Sequence, residues 1–165
     1  MGVQFNVMFE DQTVGAATTL IIVRPAASAG LRLLRAWASQ HGSATSAQCR
    51  INIGTKIAAF PTVTGSVPRI LDERITGMAG TLPFSSGTDC SAGKCGGMTG
   101  TEGAGTFTPL IVDSFNNLTG FLWTPVFEEL VLPAGSSAAL CMRAPAAWTP
   151  SGANSWDIGM TLEVM

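Results

Sequence analysis

The clearest pattern along this chain is strict alternation near its C-terminal end. In SWDIGMTLEVM, Trp156, Ile158, Met160, Leu162 and Val164 take every second position against Asp157, Gly159, Thr161 and Glu163. That period is the period of an extended strand with one face buried. CRINIGTKI repeats it, with Cys49, Ile51, Ile53 and Ile57 on one side and Arg50, Asn52, Gly54 and Lys56 on the other. LRLLRAWAS, residues 31–39, is open to two readings, because Leu31, Leu34 and Ala38 also have helical spacing and these residue types favour helix. Gly30 and the Gly42–Ser43 pair keep the run short, which predicts a strand among strand neighbours.

Further strands are expected at Val3–Phe9, Ala17–Val23, Phe107–Asp113, Gly120–Trp123, Glu128–Leu132 and Ala138–Arg143, with one short helical turn inside SVPRILDERIT, residues 66–76. Prolines punctuate the gaps. Short strands separated by proline and glycine are the pattern of a β-sandwich or barrel, and 165 residues suit one domain. Two segments stand apart. Residues 1–12 read as an N-terminal arm. Residues 77–105 hold nine glycines and almost no periodicity, which predicts a protruding Gly-rich insertion.

Composition adds the next constraint. Apolar residues make up 46% before the 19 glycines are counted, and charged residues only 12%, about half the usual quarter. A free monomer dresses its surface in charge and keeps its apolar patches small; a chain with this little charge is expected to hide surface in partners. Net charge is −2, with nine scattered basic residues. That excludes the basic footprint of a nucleic-acid or anionic-membrane binder. TLIIV, residues 19–23, is far short of a membrane span. Glu10 and Asp11 interrupt the first twenty residues where a secretory signal needs an apolar run, so the expectation is a product that is soluble when made.

The chemistry-bearing residues are few. His41 is the only histidine, with Ser39, Ser43 and Ser46 nearby; without a nucleophile elbow or a third orienting group, the expectation is a solvated histidine in a polar inter-strand turn. GTDCSAGKC misses the spacing of a phosphate loop and puts Cys95 where Ser or Thr must meet magnesium. Cys90 and Cys95 form a C-x4-C pair with no second pair to complete a zinc site. Spacing leaves them as either a local disulfide or two free thiols, and Cys49 and Cys141 read as buried apolar side chains. Asp72–Glu73 and Glu128–Glu129 are sequence neighbours, which on a strand point to opposite faces. Asn117–Leu118–Thr119 matches a glycosylation acceptor that matters only in a secretory setting. No cofactor, metal or catalytic residue is expected.

One ordered set of words covers most of the chain. TLIIVRPAASAGLRLLRAWASQHGSATSAQCRINIGTK gives a strand, a proline turn, a second strand, a Ser/Thr/Gln loop and a third strand. After the Gly/Thr-rich insertion, NNLTGFLWTPVFEELVLPAGSSAALCMRAPAAW leads through an acidic strand and a P-A-G turn to a hairpin, and the alternating strand closes the chain. In this order the sequence resembles the jelly-roll cement or decoration proteins of tailed bacteriophages. The resemblance implies a jelly-roll β-sandwich without chemistry of its own, a homo-oligomer with the trimer as the expected state, and binding to the major capsid protein on the outer surface of the virion. Val3, Phe5, Val7 and Phe9 of the N-terminal segment, and Phe84 and Phe107 flanking the insertion, are the expected partner contacts. Related jelly rolls also serve as receptor- or glycan-binding modules of tails and fibres. Trp37, Trp123, Trp148 and Trp156 are the residues such a role would use.

Overall fold

A computed structural model describes residues 2–71, 82–125, 130–149 and 155–165, with backbone only for 99–101. Every regular element among them is a strand: β1 Gln4–Gln12, β2 Thr18–Val23, β3 Leu31–Gln40, β4 Gln48–Lys56, β5 Thr62–Gly65, β6 Arg69–Ile70, β7 Ser85–Ser86, β8 Lys94–Thr101, β9 Phe107–Asn116, β10 Phe121–Trp123, β11 Val131–Leu132, β12 Ala139–Ala144 and β13 Trp156–Val164. They form two sheets. The first runs β10-β3-β13-β1-β6, with β11 also on β3; the second runs β5-β8-β2-β12-β4-β9, with β7 on β8. All pairings are antiparallel except β7 with β8.

Two quartets, β10-β3-β13-β1 and β2-β12-β4-β9, carry the strand order of two interlocked Greek keys, with the chain changing sheets at each step except from β4 to β9, which is the jelly roll. Residues 31–39 are strand, as their neighbours dictate. Trp156, Ile158, Met160 and Leu162 of β13 meet Phe5, Val7, Leu33, Ile51, Ile53 and Met142 in one core. At one end Phe115 packs edge-on against Trp148 and Trp156, with centroids 5.3 and 6.0 Å apart. Trp148 Nε1 donates to the Arg50 carbonyl at 2.8 Å, so the buried indole keeps its hydrogen bond.

The insertion departs from expectation. It does not project as an arm where it is described: β8 pairs with β2 on one side and β5 on the other, and β7 pairs with β8. Residues 77–81 of the expected insertion lie outside the described residues. Arg69–Ile70, within the expected helical turn, is strand; residues 72–76 fall outside the described range. Glycine explains why β8 carries so little periodicity. A Cβ at Gly97 would overlap the Leu20 carbonyl and crowd the Phe9 ring, so close approach of backbones replaces side-chain packing.

The segment also covers the outer face of the second sheet. Ile22, Ala139 and Cys141 point away from the main core, yet bury against Val63 of β5 and Cys90 of the insertion in a second small cluster. This makes β2 and β12 buried on both faces, and it explains the unbroken apolar run TLIIV. The cover is fixed by one carboxylate. Glu102 accepts from the Thr19 backbone N–H and from Thr19 Oγ1 at 3.0 Å, from Lys56 Nζ at 3.4 Å, and faces Arg143 Nε at 3.8 Å. Lys56 Nζ also donates to the Glu102 carbonyl at 2.8 Å. The Lys56 side chain is only 3% exposed.

The N-terminal arm also departs from expectation. β1 lies inside the first sheet, between β13 and β6. Phe5 and Val7 are fully buried, and Phe84 stacks on Phe5 at 5.2 Å in the main core. These three expected partner contacts are core residues, because the alternation that marks a docking strand also marks a strand already paired. Val3, Phe9 and Phe107 are half-buried; Phe107 packs on the outer cluster, with the Arg143 guanidinium 6.0 Å from its ring.

Candidate functional site

Two surface features are built from residues that the fold, not the sequence order, brings together. The first is a cleft on the outer face of the first sheet. Trp37 in β3 lies directly opposite Gly159 in β13, which lies opposite Met8 in β1. Alternation turns all three outward, and a Cβ at Gly159 would overlap the Trp37 indole. The glycine is what lets the ring lean over the sheet toward Met8.

At one end of this platform β1 carries a bulge between Phe9 and Gln12, and Asp11 there takes a left-handed φ of 56°. Consecutive strand residues normally point to opposite faces; a bulge re-aims one of them. Glu10 and Asp11 consequently line the same cleft, with Met8, Trp37, Ser39 and Asp157, around a volume of about 290 Å³. Asp157 Oδ1 accepts the Asp11 backbone N–H at 3.0 Å.

His41 leaves the end of β3, its N–H held by the Ser155 carbonyl at 2.9 Å, and its Nε2 lies 3.0 Å from Asp11 Oδ1. It is solvated, with 52% of its side chain exposed, as a polar turn predicts. The structure adds its carboxylate partner. Ligand atoms of Asp11, His41 and Asp157 all fall within 4.8 Å of one another. Of the neighbouring serines, Ser43 Oγ accepts the Thr45 N–H and Ser46 Oγ accepts from Asn116.

The second feature is a flank. β9 ends the second sheet, β10 and β11 lie at the edge of the first, and a turn at 117–120 joins β9 to β10. Phe115 and Phe121 meet behind it, centroids 5.7 Å apart. Of the nine large apolar side chains exposed among the described residues, five lie here: Leu110, Val112, Leu118, Leu122 and Val131. On the opposite side β6 extends the first sheet beyond β1, β8 and then β5 extend the second beyond β2, and Val67 and Leu71 are exposed beside β6.

The open edge is nonetheless protected against strand addition. β9 contains Pro109, a bulge opposite the Ile53–Gly54 step, and Asp113 at an inward position opposite Ile51. Proline, bulges and inward charges are the devices by which edge strands avoid pairing with other chains. Buried Asn117 ties the turn down, accepting the Ala47 N–H at 2.6 Å and donating to the Thr45 carbonyl at 2.9 Å. Its side chain is thus 1% exposed and committed to the fold, not displayed as a glycan acceptor.

All four cysteines are buried free thiols. Cys90 and Cys95 are not joined: Cys95 packs in the main core, Cys90 in the outer cluster with its Sγ toward the Pro61 carbonyl at 3.4 Å. Burial pushes the Cys90 thiol up to about 11, and those of Cys95 and Cys141 up to about 12. Of the tryptophans, Trp148 and Trp156 are core residues, Trp123 packs against the core, and Trp37 alone lines the cleft. Sequence order gave no signal for Asp157 joining Glu10 and Asp11. The one local clue was Gly159 interrupting the polar side of an otherwise regular strand. No protein-family model, curated protein or solved structure matches this chain.

Proposed function

We propose that this chain is a virion structural protein that docks on the outer surface of an assembled phage capsid and stabilises it. The observation that carries the reading is the open flank, where exposed Leu110, Val112, Leu118, Leu122 and Val131 sit beside an edge strand blocked against pairing. Such a surface suits burial of side chains on a partner while discouraging polymerisation through backbone bonds. The sparse charge points the same way. The capsid as the partner comes from the resemblance in the order of turns and strands.

The mechanism is linkage. A protein that binds the assembled shell and not its dissociated subunits stabilises the shell by RT ln(1 + [L]/Kd), about 2.7 kcal/mol per site at a hundredfold excess over Kd. Self-association into a homo-oligomer, with the trimer as the expected state, adds avidity across equivalent sites. The test is to mix purified protein with undecorated shells and follow their melting by calorimetry. A raised shell melting temperature, lost in Val112→Asp and Leu122→Asp variants that keep their own fold, is the expected result. Shells that neither bind the protein nor melt differently would refute the reading. A receptor- or glycan-binding role on a tail is favoured by one observation, the Trp37 platform, and imaging the protein on the tail instead of the shell would select it.

A further inference from the structure

We infer that the Trp37 cleft receives an arginine side chain presented by the docking partner. Size comes first. About 290 Å³ is at the bottom of the range for small-molecule pockets, roughly 300–1,000 Å³, so it suits one side-chain head group and not an oligosaccharide. Charge comes second. Glu10, Asp11 and Asp157 line the cleft with no basic side chain among its lining residues, His41 lies beside Asp11, and Arg69 lies in the adjoining cavity that Met8 and Glu10 share. The bulge gathers these carboxylates around one cleft.

Shape decides which cation. An indole beside carboxylates offers a π surface for stacking and acceptors at the edge of the stacked group. A guanidinium uses both at once, because its plane lies on the ring while its N–H fork bonds the carboxylates; an ammonium is a point charge without that plane. Neutral sugars would use the ring and leave the carboxylates uncompensated. The cleft is also continuous with the open flank. Leu122, 67% exposed, is the direct cross-strand neighbour of Trp37, so a partner seated on the flank brings its side chains to the cleft. The source of the arginine therefore rests on the docking reading.

The test follows the Trp37 indole N–H signal by NMR of the full chain, assigned by its loss in Trp37→Phe. Four probes are titrated: N-acetylarginine amide, its neutral isostere N-acetylcitrulline amide, N-acetylglucosamine and zinc chloride. The expected result is a saturable shift with the arginine amide, at least tenfold weaker binding of the citrulline amide, and at least a fivefold loss of arginine binding in Asp157→Asn. Because Asp157 also accepts a backbone N–H, Glu10→Gln serves as a second variant expected to weaken arginine binding severalfold with an unchanged melting temperature. Equal response to arginine and citrulline, no response to arginine, or a response confined to zinc or to the saccharide would overturn the proposal. Undecorated shells separate the two readings. Binding undiminished in Trp37→Phe and Asp157→Asn overturns the role of the cleft alone, whereas wild-type protein that ignores shells yet binds arginine amide overturns the docking reading and the partner as arginine donor.

Discussion

Removing the Glu102 carboxylate tests how the insertion is held. In the wild type, Lys56 is buried beneath the insertion with its ammonium on the Glu102 carboxylate at 3.4 Å and on the Glu102 carbonyl at 2.8 Å. Glu102→Ala leaves the carbonyl but strips the countercharge from a cation 3% exposed, and it deprives the Thr19 hydroxyl of this acceptor. Breaking one side of a buried ion pair costs about 3–5 kcal/mol. At about 2–4 °C per kcal/mol for a chain of this size, the melting temperature should fall by about 6–20 °C. Lys56→Met is expected to be far milder, within about 1 kcal/mol, because methionine fills the space and Glu102, 26% exposed, keeps Arg143 and Thr19 around it. The double variant should then be more stable than Glu102→Ala alone, since its buried position no longer holds an uncompensated charge; neighbouring sites of this kind couple by about 0.5–3 kcal/mol. Urea denaturation of the four proteins gives the cycle directly. A Glu102→Ala variant within about 0.5 kcal/mol of wild type, or a double variant less stable than Glu102→Ala, would refute the claim that this ion pair pins the insertion.

Three further outcomes follow from the packing and the ionisation of single groups. Gly159→Ala should destabilise by about 1–3 kcal/mol through overlap with Trp37, and combining it with Trp37→Leu should recover most of that loss in thermal melts. Replacing Pro109 and Asp113 together by valine removes two of the edge defences of β9, so light scattering should show self-association at concentrations where the wild type does not aggregate. For Glu163, hydrogen bonding from Arg32, with Nε at 2.9 Å, holds the carboxyl below its ordinary range. A depressed folded value means the contribution is complete above the unfolded value of about 4.3 and disappears as pH falls through the folded one. Glu163→Gln should therefore cost about 1.5–3 kcal/mol at pH 7 and flatten the acid limb of the stability curve, which pH-dependent urea midpoints will show.

Much of the sandwich was legible in the sequence because its strands bury one face. The apolar residues of the β13 alternation lie in or against the core, although Gly159, Thr161 and Glu163 between them are buried too, and β3 follows from its neighbours despite helix-forming side chains. The insertion was not legible. β8 is built on glycines that admit other backbones, β7 is two residues long, and neither leaves a period to read. Phe5, Val7 and Phe84 show the limit from the other side: an apolar stripe says that a face is covered, and only the pairing of β1 with β13 and β6 says that the cover comes from the same chain. The cleft joins residues 8–11, 37–39 and 157, which register alone makes neighbours. Glu102 passed unnoticed, since nothing local marks a carboxylate that reaches across to β2, β4 and β12.

Laying residues between β4 and β9 over the outer face of β2 and β12 gives the second sheet a partial third layer. Strands covered from both sides can carry aliphatic runs, so Ile22 and Cys141 stand where a two-layer sandwich would call for polar side chains. Stripping that layer would turn an interior surface into an exterior one.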